Sequence, residues 1–210
     1  NLLEALRQGQ AQPHHGGAGD AQPEPERAAE GYLLHDPVEG AEPSVKTEVR
    51  LLYDSDALYV GARMHRPDPE NIPTSITRRD GSSNAESLVL SFDTYLDRRT
   101  AYSFSISSGG VRGDYYHGQD SQTDRQYEYD PVWSARTQID SAGWTAEMRI
   151  PFSQLRFGAR DQPWGLEIGC QKGGSRGSMS STLMRSSKCG WSWTSFTRVM
   201  ACTLIIQLSS

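Results

Sequence analysis

Residues suited to ligand chemistry are concentrated between positions 109 and 130, in a segment rich in tyrosine, aspartate and glutamine. They fall outside the alternating patterns of the rest of the chain, which predicts a long polar loop; such loops are uncommon unless functional or mobile. Tyrosine rings can stack on an apolar ligand face, and carboxylate or imidazole groups can hydrogen-bond to neighbouring hydroxyls. The groups concerned are Tyr115, Tyr116, Tyr127 and Tyr129, with Asp114, His117, Asp120 and Glu128. The alternative is a mobile loop whose tyrosines pack on the rim of the fold.

Carboxylates of the same segment could instead hold calcium, which takes six to eight oxygen ligands. The candidates are Asp114, Asp120, Asp124 and Asp130. Because their spacing matches no EF-hand loop, the sequence predicts no cofactor, with calcium as the alternative.

Enzyme motifs do not accompany these residues. The sequence has no His-Glu-x-x-His motif and no phosphate-binding loop, and nothing in it brings two carboxylates to the separation of a glycosidase pair. We therefore predict a domain without catalysis of its own.

Charge and cysteine are unevenly distributed along the 210 residues. All 26 acidic residues lie before Gly169, against 16 of the 21 basic ones, so the body is acidic and the remainder basic. An acidic body argues against nucleic acid as a partner. All three cysteines follow Gly169, so the body offers neither disulfides nor thiolate metal ligands. The start at Asn1 suggests a fragment or a processed product, and no signal peptide is visible.

Short alternating stretches predict the scaffold that must position these groups. Residues 47–64 read as two period-two strands joined by an Asp-Ser-Asp turn, which is typical of a hairpin with one apolar face. Similar stretches follow at 86–93, 100–107, 133–139 and 144–150, and a last one begins at Trp164. Strands at this spacing indicate an all-β fold, an antiparallel β-sandwich. Trp133, Trp144 and Trp164 alternate in phase with aliphatic residues, which predicts that they are core residues.

Four stretches resemble family 9 carbohydrate-binding-module-like domains. They are 46–64 (KTEVRLLYDSDALYVGARM), 91–104 (SFDTYLDRRTAYSF), 130–133 (DPVW) and 143–157 (GWTAEMRIPFSQLRF). The resemblance covers about residues 32–168, with the four motifs in the family's order. It is similar to the version that precedes a large uncharacterised region, thought to be an outer-membrane barrel, in Gram-negative bacterial proteins.

The resemblance implies a jelly-roll sandwich, export to the periplasm or outer membrane, and binding of an oligo- or polysaccharide. It also implies a parent protein that carries a glycoside hydrolase or the outer-membrane region. Because the three tryptophans fall on core positions, the predicted sugar-binding residues are Asp114, Tyr116, His117, Tyr127, Glu128 and Tyr129. The alternative is a structural periplasmic domain, docked on an outer-membrane barrel, that does not bind sugar.

The two ends of the chain are expected to differ from this domain. Residues 1–30 are rich in Pro, Glu and Gly and predict a flexible extension, which leaves 31–168 as the sandwich. From Gly169 onward the family match stops, acidic residues vanish and ten serines occur in 42 residues. We interpret 169–210 as an anomalous tail produced by a shift of reading frame, without a defined fold except for an apolar strand at 201–208.

Overall fold

A computed structural model describes residues 27–29, 32–34, 46–81, 83–119, 124–158, 164–171 and 181–184. Two short 3₁₀ turns, Pro69–Asn71 and Phe152–Gln154, occur among them. No helix in these ranges is long and apolar enough to span a membrane. The same ranges contain the strands β1 Arg27–Ala29, β2 Tyr32–Leu34, β3 Thr47–Tyr53, β4 Ala57–His65, β5 Ser87–Asp93, β6 Ala101–Ser107, β7 Arg112–His117, β8 Ser134–Asp140, β9 Gly143–Pro151, β10 Gly165–Gln171 and β11 Ser181–Met184.

The strands form two sheets in which every neighbouring pair is antiparallel. One sheet has the order β1-β3-β4-β9-β8, and the other has the order β2-β11-β10-β5-β6-β7. The inward residues of both sheets form one apolar core cluster. The chain is therefore an antiparallel β-sandwich, as the alternation predicted, of the jelly-roll type that the resemblance implied.

The β3–β4 hairpin forms where the sequence predicts it. Val49 pairs with Ala62 and Leu51 with Val60, so the apolar side chains of both strands lie on the core face. The turn is closed by Asp54, whose Oδ1 accepts hydrogen bonds of 2.8 Å from the backbone N–H groups of Asp56 and Ala57.

The three tryptophans of the body are core residues, as predicted. Trp133, Trp144 and Trp164 are each at most 3% exposed. The indole N–H of Trp144 donates to Glu86 Oε2 at 2.9 Å, and the second oxygen of Glu86 bonds the guanidinium of Arg66. The ring of Trp144 can therefore be buried because an interior carboxylate accepts the hydrogen bond of its N–H group.

The prediction that residues 109–130 form one continuous loop is wrong. Residues 112–117 form strand β7, which pairs with β6 and ends the six-stranded sheet. The strand is hard to recognise because its inward positions are occupied by Asp114 and Tyr116 rather than by aliphatic residues. Candidate ligand residues that were expected in a loop therefore alternate across a sheet.

Two short strands lie beyond the predicted limits of the sandwich, and the division at residues 30 and 168 stays a prediction. Strand β1 lies inside the expected N-terminal extension and pairs with β3. At the other end, β10 continues past Ile168 to Gln171 and pairs with β11, inside the expected tail. The predicted strand at 201–208 lies outside the described residues, and the shift of reading frame stays a prediction.

Candidate functional site

Strand β7 divides the candidate residues between two faces of the sheet. Asp114 and Tyr116 pair with Phe104 and Tyr102 of β6, on the face that lines the core. Tyr115 pairs with Ser103, on the outer face. Because side chains alternate along a strand, His117 falls on the same outer face as Tyr115.

Asp114 is an interior residue bound to two donors. It is 1% exposed, and its Oδ1 accepts hydrogen bonds from Arg79 Nη2 at 2.6 Å and from Trp133 Nε1 at 2.9 Å. Burial raises the pKa of its carboxyl, while the hydrogen bonds from Trp133 and Arg79 act in the opposite direction. Asp114 therefore stabilises the interior and is not available at the outer face.

Arg79 connects β7 to a second part of the chain. Its Nη1 lies 2.7 Å from Asp130 Oδ1, and its Nη2 donates to the carbonyl of Pro131 at 2.8 Å. Two of the calcium candidates, Asp114 and Asp130, are thus bridged by a guanidinium. In the described part of the chain, no group of three or more His, Cys, Asp or Glu residues is placed to hold a metal ion, and Asp120 lies outside that part.

Two further candidates, Tyr116 and Tyr129, belong to an aromatic cluster on the inner side of β7. Their ring centres lie 4.9 and 5.1 Å from that of Tyr102, which is itself buried. The hydroxyl of Tyr129 donates to the carbonyl of Gln154 at 2.8 Å, and burial raises the pKa of that hydroxyl. Both rings are half-buried and pack against the core. This placement matches the alternative in which tyrosines of this segment pack on the rim of the fold.

The outer face of β7 carries a second aromatic group, which we call the outer platform: Tyr115, His117, Arg125 and Tyr127. The ring of Tyr115 lies 5.0 Å from that of His117 and 5.7 Å from that of Tyr127. The Cζ of Arg125 lies 4.9 Å from the centre of the Tyr115 ring. Tyr115 is 9% exposed and Tyr127 is 48% exposed, so Tyr127 presents most of the accessible aromatic surface.

A short return of the chain completes the outer platform. After β7 the chain comes back to pair with it at Gln126, where Tyr116 and Gln126 exchange backbone hydrogen bonds of 3.1 and 2.9 Å. Arg125 and Tyr127 flank this bridge, and alternation places both on the side opposite Gln126. Backbone pairing therefore places both side chains beside Tyr115.

Polar groups surround the outer platform on the same face. The hydroxyls of Ser91 and Ser103 lie 2.8 Å apart beside Tyr115, and Glu167 is paired with Ser91 across β10 and β5. Burial raises the pKa of the Tyr115 phenol; the charge of Arg125 opposes that rise, and the charge of Glu167 adds to it. The face thus combines aromatic area with a cation, a carboxylate and hydroxyls.

The outer face of the other sheet is different in character. It carries ion pairs, with Arg63 Nη1 at 2.7 Å from Asp140 Oδ1 and His65 Nε2 at 3.2 Å from Glu48 Oε1. The guanidinium of Arg149 covers the ring of Tyr59. Paired charges of this kind are typical of a solvated sheet face.

The structure brings together only part of the predicted sugar-binding set. His117 and Tyr127 lie in the outer platform, Asp114, Tyr116 and Tyr129 lie on the inner side of β7, and Glu128 is an exposed residue after the platform. The sugar-binding residues predicted from the sequence include neither Tyr115 nor Arg125. Recognition of β7 as a strand would have placed Tyr115 with His117, since they are two residues apart.

Comparisons with known proteins agree with this fold. A crystal structure from Bacteroides uniformis, of a protein named as a candidate for carbohydrate binding, is similar at a TM-score of 0.58 and 12% identity, over 86% of this chain and 85% of that one. At this identity the similarity shows a shared fold alone.

Two structures of a family 9 carbohydrate-binding module from Caldicellulosiruptor kristjanssonii are also similar. The complex with cellotriose has a TM-score of 0.48 and 14% identity, over 78% of this chain and 74% of that one. The complex with glucose has a TM-score of 0.49 and 15% identity, over 76% of each chain. No family model and no curated protein matches the sequence.

Proposed function

We propose that this chain is a non-catalytic carbohydrate-binding domain that binds an oligo- or polysaccharide on the outer platform. The observation that carries the proposal is the half-exposed ring of Tyr127 beside Tyr115, with Arg125 on the same face. A pyranose ring has an apolar C–H face that packs on an aromatic ring and a rim of hydroxyls that need hydrogen-bonding partners. An aromatic surface edged by polar groups matches both requirements.

The groups around Tyr127 supply donors and acceptors for sugar hydroxyls. Arg125 offers N–H donors and Glu167 offers carboxylate acceptors. Glu167 lies on the six-stranded sheet, and the backbone bridge at Gln126 holds Arg125 and Tyr127 beside that sheet, so the site is largely preformed. The fold shared with the Bacteroides uniformis structure and the four sequence motifs support the same proposal.

The setting of the domain is part of the proposal. We propose an exported protein, periplasmic or associated with the outer membrane, in which this domain accompanies a glycoside hydrolase or an outer-membrane region. The support is the sequence resemblance alone. Fractionation of the native host cells with an antibody against this chain tests it, and recovery from the cytoplasm would contradict it.

A structural domain without sugar binding is the second candidate. It is favoured by one observation: Arg125 lies on the ring of Tyr115, and Tyr115 is largely buried, so that ring is already covered. In that case the outer platform would serve only to hold the returning chain against β7.

A glycan array followed by calorimetric titration separates the two candidates. The full chain is screened, and each saccharide that binds is titrated against the wild type and Tyr127→Ala. We expect the substitution to weaken binding about tenfold, because a stacked ring contributes on the order of 1 kcal/mol beyond its buried area.

Tyr95→Ala is the matched control, since Tyr95 is 42% exposed and lies outside the outer platform. It should leave the affinity unchanged. Absence of binding to any saccharide favours the structural candidate, and equal losses in the two variants place the site elsewhere.

A further inference from the structure

We propose that the outer platform selects acidic saccharides, with the sugar carboxylate bound by the guanidinium of Arg125. This rests on the proposed function and names its ligand class: an oligosaccharide that contains a uronic acid. The feature that leads to it is the juxtaposition of an exposed arginine with two tyrosine rings.

Arg125 is positioned to face a ligand. Its side chain is exposed, and within the described residues its guanidinium contacts the Tyr115 ring and not a carboxylate. Other arginines in these ranges are used differently: Arg63, Arg66 and Arg79 each form ion pairs with aspartate or glutamate. The charge of Arg125 thus remains available to an incoming anion.

Stacking also orients the guanidinium. When its face lies near an aromatic ring, the N–H groups at its edges remain free to point outward. A planar fork of N–H donors fits a carboxylate with two parallel hydrogen bonds, which a lysine cannot reproduce. The adjacent Tyr127 ring can pack against the C–H face of the same sugar unit. Tyr127 would then bind the sugar ring, and Arg125 would bind its carboxylate.

The charges around the platform favour one orientation of the ligand. The body of the chain has 26 acidic residues, and a uronic acid is therefore repelled by much of the surface. Arg125 places a positive charge on this face, whereas Glu167 contributes to the raised pKa of the Tyr115 phenol and can accept hydrogen bonds from hydroxyls of the neutral part of the sugar. An acidic sugar would bind with its carboxylate on Arg125 and its hydroxyls toward Glu167.

The test compares two pairs of ligands, and the members of each pair differ only in the acidic group. Cello-oligosaccharide and its C6-oxidised counterpart, and methyl-esterified and de-esterified oligogalacturonides, are titrated into the full chain at 50 mM and 500 mM salt. We expect the acidic partner of a pair to bind about tenfold more tightly at low salt, because a hydrogen bond between two charged groups is stronger than one between neutral groups. The preference should shrink at high salt.

Three variants assign the effect to Arg125. Arg125→Gln should abolish the preference for the acid, so that the acidic and the neutral member of a pair bind with affinities within about threefold of each other. Arg125→Lys should keep part of the preference, since it retains the charge but not the fork. Arg136→Gln, at an exposed position of β8 on the other sheet, is the control and should behave as wild type.

The outcomes distinguish this inference from the proposed function. Equal affinity for neutral and acidic ligands overturns the preference but leaves sugar binding intact. An acid preference that survives in Arg125→Gln also overturns it. Failure of the wild type to bind any of the four ligands, with binding of some other neutral glycan, rejects the ligand class; failure with every glycan rejects both.

Discussion

The contacts of Trp144 show, at the scale of one residue, why this tryptophan has a structural role. Trp144 is 1% exposed, and its N–H is bonded to Glu86, which is itself buried and paired with Arg66. The ring therefore contributes apolar contacts and also satisfies one oxygen of an interior carboxylate.

Replacement of this ring tests its structural role. We expect Trp144→Ala to lower the free energy of unfolding by about 3–5 kcal/mol, because it leaves a large cavity. Trp144→Phe should cost less, since it fills most of the volume and loses only the hydrogen bond to Glu86. Urea denaturation followed by circular dichroism measures both. A Trp144→Ala variant as stable as wild type would show that the ring is not a core residue.

The ion pair between Asp114 and Arg79 leads to a prediction of how the stability of the protein depends on pH. Burial raises the pKa of Asp114 in the folded protein, so in the range above the ordinary value of about 3.9 the folded state binds a proton more readily than the unfolded state. This contribution to stability is present in acid and is lost as pH rises. Arg79 limits the loss because it stabilises the carboxylate form.

Arg79→Ala should therefore destabilise the protein little at pH 3 and by about 1–3 kcal/mol at pH 7. The measurement is the free energy of unfolding in urea across this pH range. Arg136→Ala, at an exposed position of β8, should show no such trend. If Arg79→Ala lowered the free energy of unfolding equally at both pH values, the cause would be lost packing and not a lost ion pair.

Among the elements, the sequence predicted the strands whose two faces differ in polarity. The β3–β4 and β8–β9 hairpins show clear alternation, with apolar residues such as Val60 and Met148 on the core side. Strand β7 does not, because a buried aspartate and a tyrosine occupy its inward positions. Its ion pair with Arg79 depends on a contact 35 positions away in the chain, which local periodicity cannot reveal.

The edge of β7 is also covered by a side chain. Asp80 has a φ of 60°, and its Oδ1 accepts the backbone N–H of Asp114 at 2.8 Å, while its own N–H donates to the carbonyl of Arg112 at 3.2 Å. Together with the Tyr116–Gln126 bridge, it satisfies backbone groups that an edge strand would otherwise expose.

Substitutions at Asp80 separate the backbone conformation from the hydrogen bond. Asp80→Asn should cost less than about 0.5 kcal/mol, because asparagine tolerates positive φ and keeps an acceptor oxygen. Asp80→Ala should cost about 2 kcal/mol through the lost acceptor and the strained backbone. Thermal and urea unfolding measure the difference. Equal stability of the two variants would show that the Asp80–Asp114 bond contributes nothing.

At the scale of the whole molecule, the sequence predicted the all-β sandwich, and the division at residues 30 and 168 stays a prediction. The short strands β1 and β11 lie outside those two positions. Short strands at a sheet edge are held by partners already in place, and their own composition need not be strongly apolar. The outer platform depends on the same kind of long-range pairing, which explains why only His117 and Tyr127 of the predicted set lie there.

A second property of the whole molecule is its response to calcium. Since Arg79 bridges Asp114 and Asp130, we expect the melting temperature and any glycan affinity to be the same in EDTA and in 5 mM calcium, within about 1 °C and twofold. Differential scanning fluorimetry and titration provide the measurement. A calcium-dependent rise of several degrees would contradict this expectation, and Asp120→Asn and Asp124→Asn would then test which aspartates are ligands.

The anchoring on both sides of residues 118–124 has a consequence for engineering. The chain leaves β7 at His117 and is fixed again at Gln126 by the backbone bridge, and Arg79 holds Asp130 a few residues later. Because the cost of closing a loop grows only slowly with its length, about 0.6 kcal/mol for each doubling, insertions between two fixed ends need not disturb the sandwich. Residues 118–124 are therefore the natural place to randomise in a display library. Selection there could change what the protein binds while the strands beneath keep their sequence.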